Sequence, residues 1–76
     1  MLKLKIHEDY SRYRIDLEVE FDGTEEELKA LIESEEHEDD YYSKLPGIKI
    51  INKREFDREI GYELIELVDG KTIAER

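Results

Sequence analysis

Tyr13-Arg14-Ile15-Asp16-Leu17-Glu18-Val19-Glu20-Phe21 alternates apolar and charged side chains without a break. A period of two puts Tyr13, Ile15, Leu17, Val19 and Phe21 on one face of a strand and Arg14, Asp16, Glu18 and Glu20 on the other. The segment before it has the same period, with Leu2, Leu4 and Ile6 alternating with Lys3, Lys5 and His7. Glu8, Asp9, Tyr10 and Ser11 then form a polar stretch expected to turn the chain into an antiparallel hairpin. The expected register sets Lys3 and Lys5 near Asp16 or Glu18, which neutralises part of the outer face. Glu20 and Asp22 are left over toward the acidic side.

Beyond Phe21, the residues Asp22, Gly23 and Thr24 end the strand and open a helix. Thr24 and Glu27 have the spacing of a capping box, and Glu25, Glu26 and Glu27 occupy the first turn, where the helix dipole favours anions. Leu28, Leu31 and Ile32 form the buried stripe. Its continuation requires apolar residues near positions 35 and 39, where Glu35 and Asp39 stand. The helix therefore either projects past the sheet after about Ser34 or gives way to an acidic loop. Tyr42 and Leu45 return the chain to the core before Pro46 and Gly47 punctuate it. Ile48, Ile50 and Ile51 resume a strand, and the parity break between the last two predicts a bulge. For residues 59–68 a helical stripe competes with a strand, and Gly61 favours the strand. Asp69 and Gly70 are expected as a two-residue hairpin turn leading into Lys71, Thr72, Ile73 and Ala74. The expected fold class is α+β, a single helix packed on one face of an antiparallel sheet, in the order β-β-α-β-β-β, with residues 1–76 forming one acidic domain.

Composition narrows the functional classes. The chain has 76 residues, no cysteine, and 22 acids against 12 bases, a net charge of −10. Residues 16–40 hold 13 acids and one base, Lys29, a local balance of −12, which leaves +2 for the remainder. Such local acidity disfavours direct binding to nucleic acid or to an anionic membrane surface. Without cysteine there is neither a disulfide framework nor a thiolate metal site. No apolar run approaches the roughly 20 residues of a membrane span, and Met1 leads directly into the strand pattern. The expectation is an intracellular, cytoplasmic protein. The chain also lacks glutamine and is 45% charged, which resembles hyperthermophile usage.

The densest feature is Glu33-Ser34-Glu35-Glu36-His37-Glu38-Asp39-Asp40, closed by Tyr41 and Tyr42. Such a run cannot enter a core, so it faces water or a basic partner. Its carboxylate density suggests imitation of a phosphate backbone, which carries one charge per about 1.7 Å of duplex axis. The partner-binding set expected on this basis is Glu20, Asp22, Glu25, Glu26, Glu33, Glu35, Glu36, Glu38, Asp39, Asp40 and Tyr41, with Tyr42 in the core. The expected partner is a basic nucleic-acid-binding protein, blocked sterically and electrostatically. The most concrete version is a viral inhibitor of host defence of the anti-CRISPR kind, acting in the host cytoplasm. The alternative is a small thermophile domain that forms a homodimer through an exposed sheet edge, with its acids serving solubility.

Other chemistries find less support. Glu33 with His37, and Glu36 with Asp40, share a face on a continuous helix, but no spacing specifies a third ligand, so no metal or other cofactor is expected. Ser11, Ser34, Ser43, Thr24 and Thr72 lie in no strained glycine-flanked turn, and His7 and His37 have no evident cleft, so no enzyme is expected. Lys49, Lys53, Arg54 and Arg58 interleave with Glu55, Asp57 and Glu59, which suggests an ion-paired strand face.

Overall fold

The computed structural model describes residues 1–34, 41–57 and 63–75. Strands β1 (Leu2–Tyr10) and β2 (Tyr13–Phe21) are followed by helix α1 (Glu25–Glu33) and a single 3-10 turn (Tyr42–Lys44). Strands β3 (Ile48–Phe56), β4 (Leu64–Leu67) and β5 (Thr72–Glu75) complete the described elements. These five strands form one antiparallel sheet in the order β3-β2-β1-β4-β5. The class is α+β, as the alternation of β2 and the capping signal at Thr24 imply.

The β1–β2 hairpin is longer than its hydrophobic pattern. Its register runs from Leu2 opposite Phe21 to Tyr10 opposite Tyr13, so Glu8, Asp9 and Tyr10 are strand and not turn. The connection shrinks to Ser11 and Arg12. Among the described residues no non-glycine has a positive φ, so this loop lacks the primed geometry that two-residue hairpins favour. Across it the Tyr10 and Tyr13 rings stack, with centroids 4.9 Å apart and planes within 8°, clamping the strand ends. Extending β1 also carries Glu8, in parity with Leu4 and Ile6, onto the core face, where it is only 3% exposed.

At α1 the capping box forms in both directions: the Glu27 N–H donates to Thr24 Oγ1 at 3.2 Å, and the Thr24 N–H donates to Glu27 Oε1 at 3.3 Å. The helix ends at Glu33, where Ser34 turns to extended backbone and donates its N–H to the Leu31 carbonyl. The competition between a long helix and a break near Ser34 is thus decided for the break; residues 35–40 lie outside the described residues. Leu28 is fully buried, Leu31 and Ile32 half-buried, and with Tyr42 and Leu45 they cover one face of the sheet. Beneath them lie Leu4, Ile6, Ile15, Leu17, Val19, Phe21 and Ile65.

The expected bulge is present. Glu18 pairs with Asn52 and Val19 with Ile50, leaving Ile51 as the extra residue of β3. Leu64–Leu67 is a strand, while residues 59–62 of the uncertain segment lie outside the described residues. The β4–β5 turn is longer than expected. Gly70 donates to the Leu67 carbonyl at 2.9 Å and Leu67 to the Lys71 carbonyl at 2.8 Å, so Val68, Asp69 and Gly70 form a three-residue loop. Gly70, at φ 98°, takes the left-handed position that closes such a loop.

Candidate protein-binding surface

The strand registers distribute the charges. On the sheet face away from α1, β1 presents Lys3, Lys5 and His7, and β2 presents Glu20, Glu18 and Asp16 directly opposite them. On the far side of β2, Glu20 meets Lys49 and Asp16 meets Arg54 of β3. On the far side of β1, Lys5 meets Glu66 of β4. Charge therefore alternates strand by strand, negative on β4, positive on β1, negative on β2 and positive on β3. Opposite charges directly across a sheet stabilise it, each pair by about 0.2–1 kcal/mol. With Arg14 and Asp9, which also face each other, and with His7 left aside, five cations stand against five anions among the described residues of these strands.

At the centre of this face His7 bridges three strands. Its Nδ1 lies 2.8 Å from Asp16 Oδ1 and its Nε2 lies 3.1 Å from Glu66 Oε1. A carboxylate only accepts, so both contacts are hydrogen bonds when both ring nitrogens carry protons. Arg14 Nε is 3.1 Å from Asp16 Oδ1 without hydrogen-bond alignment, and its guanidinium lies 4.5 Å above the Phe56 ring. The arginine is thus held by charge and by stacking.

Glu20, expected on the acidic side, sits instead between Lys3 and Lys49 on the face opposite the helix. The strand period separates it from Phe21 and from α1, so it belongs to the balanced face. Asp22, Glu25, Glu26 and Glu33 lie on or just before α1, with Glu25 and Glu33 at its two ends. Glu25 is engaged: Lys71 Nζ donates to its Oε1 at 2.6 Å and Lys29 Nζ lies at 3.4 Å. The Lys71 hydrogen bond, aided by Lys29, holds the Glu25 carboxyl below its usual range. Asp22, Glu26 and Glu33 are exposed and make no ion pair among the described residues. Glu35, Glu36, Glu38, Asp39 and Asp40, with His37, lie outside the described residues.

Tyr41 packs on its own chain. Its ring lies 5.0 Å from that of Tyr10, its hydroxyl donates to the Asp9 carbonyl at 3.5 Å, and Lys44 Nζ stands 5.8 Å from its centroid. The outer ring of the resulting tyrosine stack is Tyr13, which is 39% exposed. Tyr42 is in the core, as expected.

Two carboxyls that the sequence pattern does not single out lie under this stack. Glu8 Oε2 accepts from Ser43 Oγ at 2.8 Å, and Glu63 Oε1 accepts from the Tyr42 N–H at 2.6 Å. Burial first, then the nearby Glu8, pushes the Tyr10 phenol up to about 12; burial, Glu63 and Glu8 raise that of Tyr41. The parity of Glu8 with Leu4 and Ile6 was a signal for its burial; the hydrogen bond of Glu63 to the Tyr42 N–H is a tertiary contact that no local pattern announces.

The expected strand-face cations are also placed. Lys49 and Arg54 join the balanced face, Lys53 lies 3.5 Å from Glu55, and Arg58 and Glu59 are outside the described residues. Edge strand β3 carries features that discourage pairing with another strand: a bulge, three cations, and the Asn52 side chain, whose Oδ1 accepts the Lys53 N–H at 2.9 Å. Among the described residues no cluster of three or more metal-ligating side chains converges, and no helix is long and apolar enough to cross a membrane. Compared with known protein families, curated proteins and solved structures, the chain matches none of them.

Proposed function

We propose that the chain is a non-enzymatic binding protein that docks its acidic helix side on a basic, nucleic-acid-handling protein and blocks it. The single observation that carries this reading is the charge balance of the outer sheet face. With five anions opposed by five cations on β1 to β4, the chain's excess negative charge is left mainly to the helix side and to the acidic run that follows Ser34 in sequence. Exposed Asp22, Glu26 and Glu33 are the described members of the docking set, and Glu35, Glu36, Glu38, Asp39 and Asp40 are its sequence continuation. Carboxylates on such a surface take the place of phosphates in a cationic groove, where displaced counterions supply much of the affinity. A viral inhibitor of host defence of the anti-CRISPR kind, working in the host cytoplasm, is the most concrete form.

The test is capture of basic nucleic-acid enzymes on the immobilised chain at about 0.1 M salt, followed by competition with duplex DNA and stepwise salt elution. Retention of such an enzyme and its release by DNA supports the reading. A variant with Glu35, Glu36, Glu38, Asp39 and Asp40 changed together to their amides is expected to keep its circular dichroism spectrum and lose the captured enzyme. Undiminished capture by that variant overturns the phosphate-mimic reading, and failure to retain any nucleic-acid enzyme favours acids that serve solubility.

A further inference from the structure

The outer sheet face is unpartnered among the described residues, and its charge stripes have a symmetry of their own. Four of the five strands, negative β4, positive β1, negative β2 and positive β3, form an array that changes every sign when its order is reversed, and β5, which adds Glu75 to this face, lies beyond it. A second copy laid face to face by a two-fold axis parallel to the strands, midway between β1 and β2, reverses that order. It places the second copy's β3 on β4 and its β2 on β1. Lys3 and Lys5 then face the second copy's Glu20 and Glu18, and Asp9 faces its Arg14. An axis across the strands would instead set each stripe on its like. We infer that this face is a homodimer interface, with a second copy of the chain as its occupant in that single orientation.

Two exposed apolar side chains fit the same operation. Ile51, 54% exposed, and Val68, 55% exposed, border one shallow groove on this face together with Lys3, Glu18 and Glu20. Ile51 belongs to β3, and Val68 follows β4, its N–H bonded to the Lys3 carbonyl. They lie at the same end of the sheet on opposite sides of the axis. By register Val68 is level with Lys3 while Ile51 lies between the levels of Val19 and Glu18, so the rotation that matches the charges sets Val68 beside the second copy's Ile51 with an offset of about 5 Å along the strand, twice. The bulge that displaces Ile51 from the core pattern supplies one half of this contact.

Four strands up to nine residues long present roughly 500 Å² per copy, or about 1,000 Å² in total, from strand rise and spacing. That is near the lower bound for a specific interface and corresponds to a weak, reversible dimer. The charges select the orientation, while the two Val68–Ile51 contacts add apolar area on either side of the axis at one end of the face. The inference does not depend on the proposed acidic partner, because it uses the opposite face of the sheet.

Sedimentation equilibrium of the full chain over a concentration series at about 0.1 M salt tests it. The expected result is a monomer–dimer equilibrium that weakens as salt rises. Ile51→Glu and Val68→Lys are each expected to raise the dissociation constant by about tenfold, because each puts an unpaired charge into both apolar contacts of the dimer. Their equimolar mixture is expected to form a heterodimer, because Glu at 51 of one chain then meets Lys at 68 of the other while the second Val68–Ile51 contact stays intact. Circular dichroism checks that both variants are folded, as substitution at these exposed positions permits. A wild-type chain that stays monomeric up to about 1 mM, a concentration matching only about 4 kcal/mol of association free energy, overturns the inference. So does a mixture that remains monomeric. A dimer unaffected by Ile51→Glu but lost in Ile50→Glu, whose side chain is on the other face of the β3 edge, overturns it in favour of edge pairing.

Discussion

Tyr10 shows how one side chain acquires its properties from four segments of chain. Tyr13 stacks on it across the hairpin, Tyr41 leans on its other side, and Glu8 and Glu63 lie beneath. Its phenol is raised from 10 to about 12, so the folded state resists ionisation that the unfolded chain undergoes near 10. Stability from this group is fully present below pH 10 and is lost as pH rises through about 12. Absorbance titration at 295 nm is expected to show Tyr10 ionising late among the five tyrosines, with that late component missing in Tyr10→Phe. The neighbouring Ser43–Glu8 hydrogen bond makes a second prediction. Ser43→Ala removes a donor from a carboxyl that is 3% exposed, and is expected to cost about 1–3 kcal/mol in urea unfolding. A loss below about 0.5 kcal/mol would mean that another group satisfies Glu8 equally well.

Element boundaries here are decided by local chemistry that competes with hydrophobic pattern. The start of α1 was legible because Thr24 and Glu27 satisfy each other's orphan backbone groups without help from the rest of the fold. Thr24→Ala is expected to destabilise the protein by about 1 kcal/mol, with helix content by circular dichroism reduced before the global transition. The β3 bulge was legible for a similar reason, since two adjacent isoleucines cannot both keep the parity of one strand face. The two hairpin loops were not. Ser11–Arg12 is shorter than the polar stretch around it because the tyrosine stack and the burial of Glu8 extend β1. At the other hairpin, Val68 joins the loop because its N–H is drawn to the Lys3 carbonyl. Gly70 has a positive φ and open space where a β-carbon would stand, so Gly70→Ala tests backbone conformation alone. It is expected to cost about 1–2 kcal/mol, measured by thermal unfolding.

At the scale of the whole molecule the sheet register sorts the charges. A chain at −10 has one face where cations and anions oppose each other and an opposite, helix-bearing side where acids predominate. Lys5→Glu places a third acid between Glu18 and Glu66 and is expected to lower stability by about 0.5–1 kcal/mol, a loss that shrinks as salt is raised. Glu26→Gln removes an exposed acid on α1 and is expected to leave stability unchanged or slightly raised. Equal effects from the two substitutions would show that register does not organise the surface charge.

The alternation of β2, the capping box and the parity break at Ile50–Ile51 are properties of neighbouring residues, so the sequence by itself determined the α+β class, the helix start and the bulge. It also located the acidic run, because composition needs no fold. Which charges oppose one another depends on pairing between residues far apart in the chain, such as Lys5 with Glu66 and Glu20 with Lys49. Only the tertiary structure decided that Glu20 leaves the acidic side, that Tyr41 packs on Tyr10, and that Glu8 and Glu63 are buried. A strand pattern states which side chains share a face, but the free energy that selects a register comes from partners that the pattern does not contain.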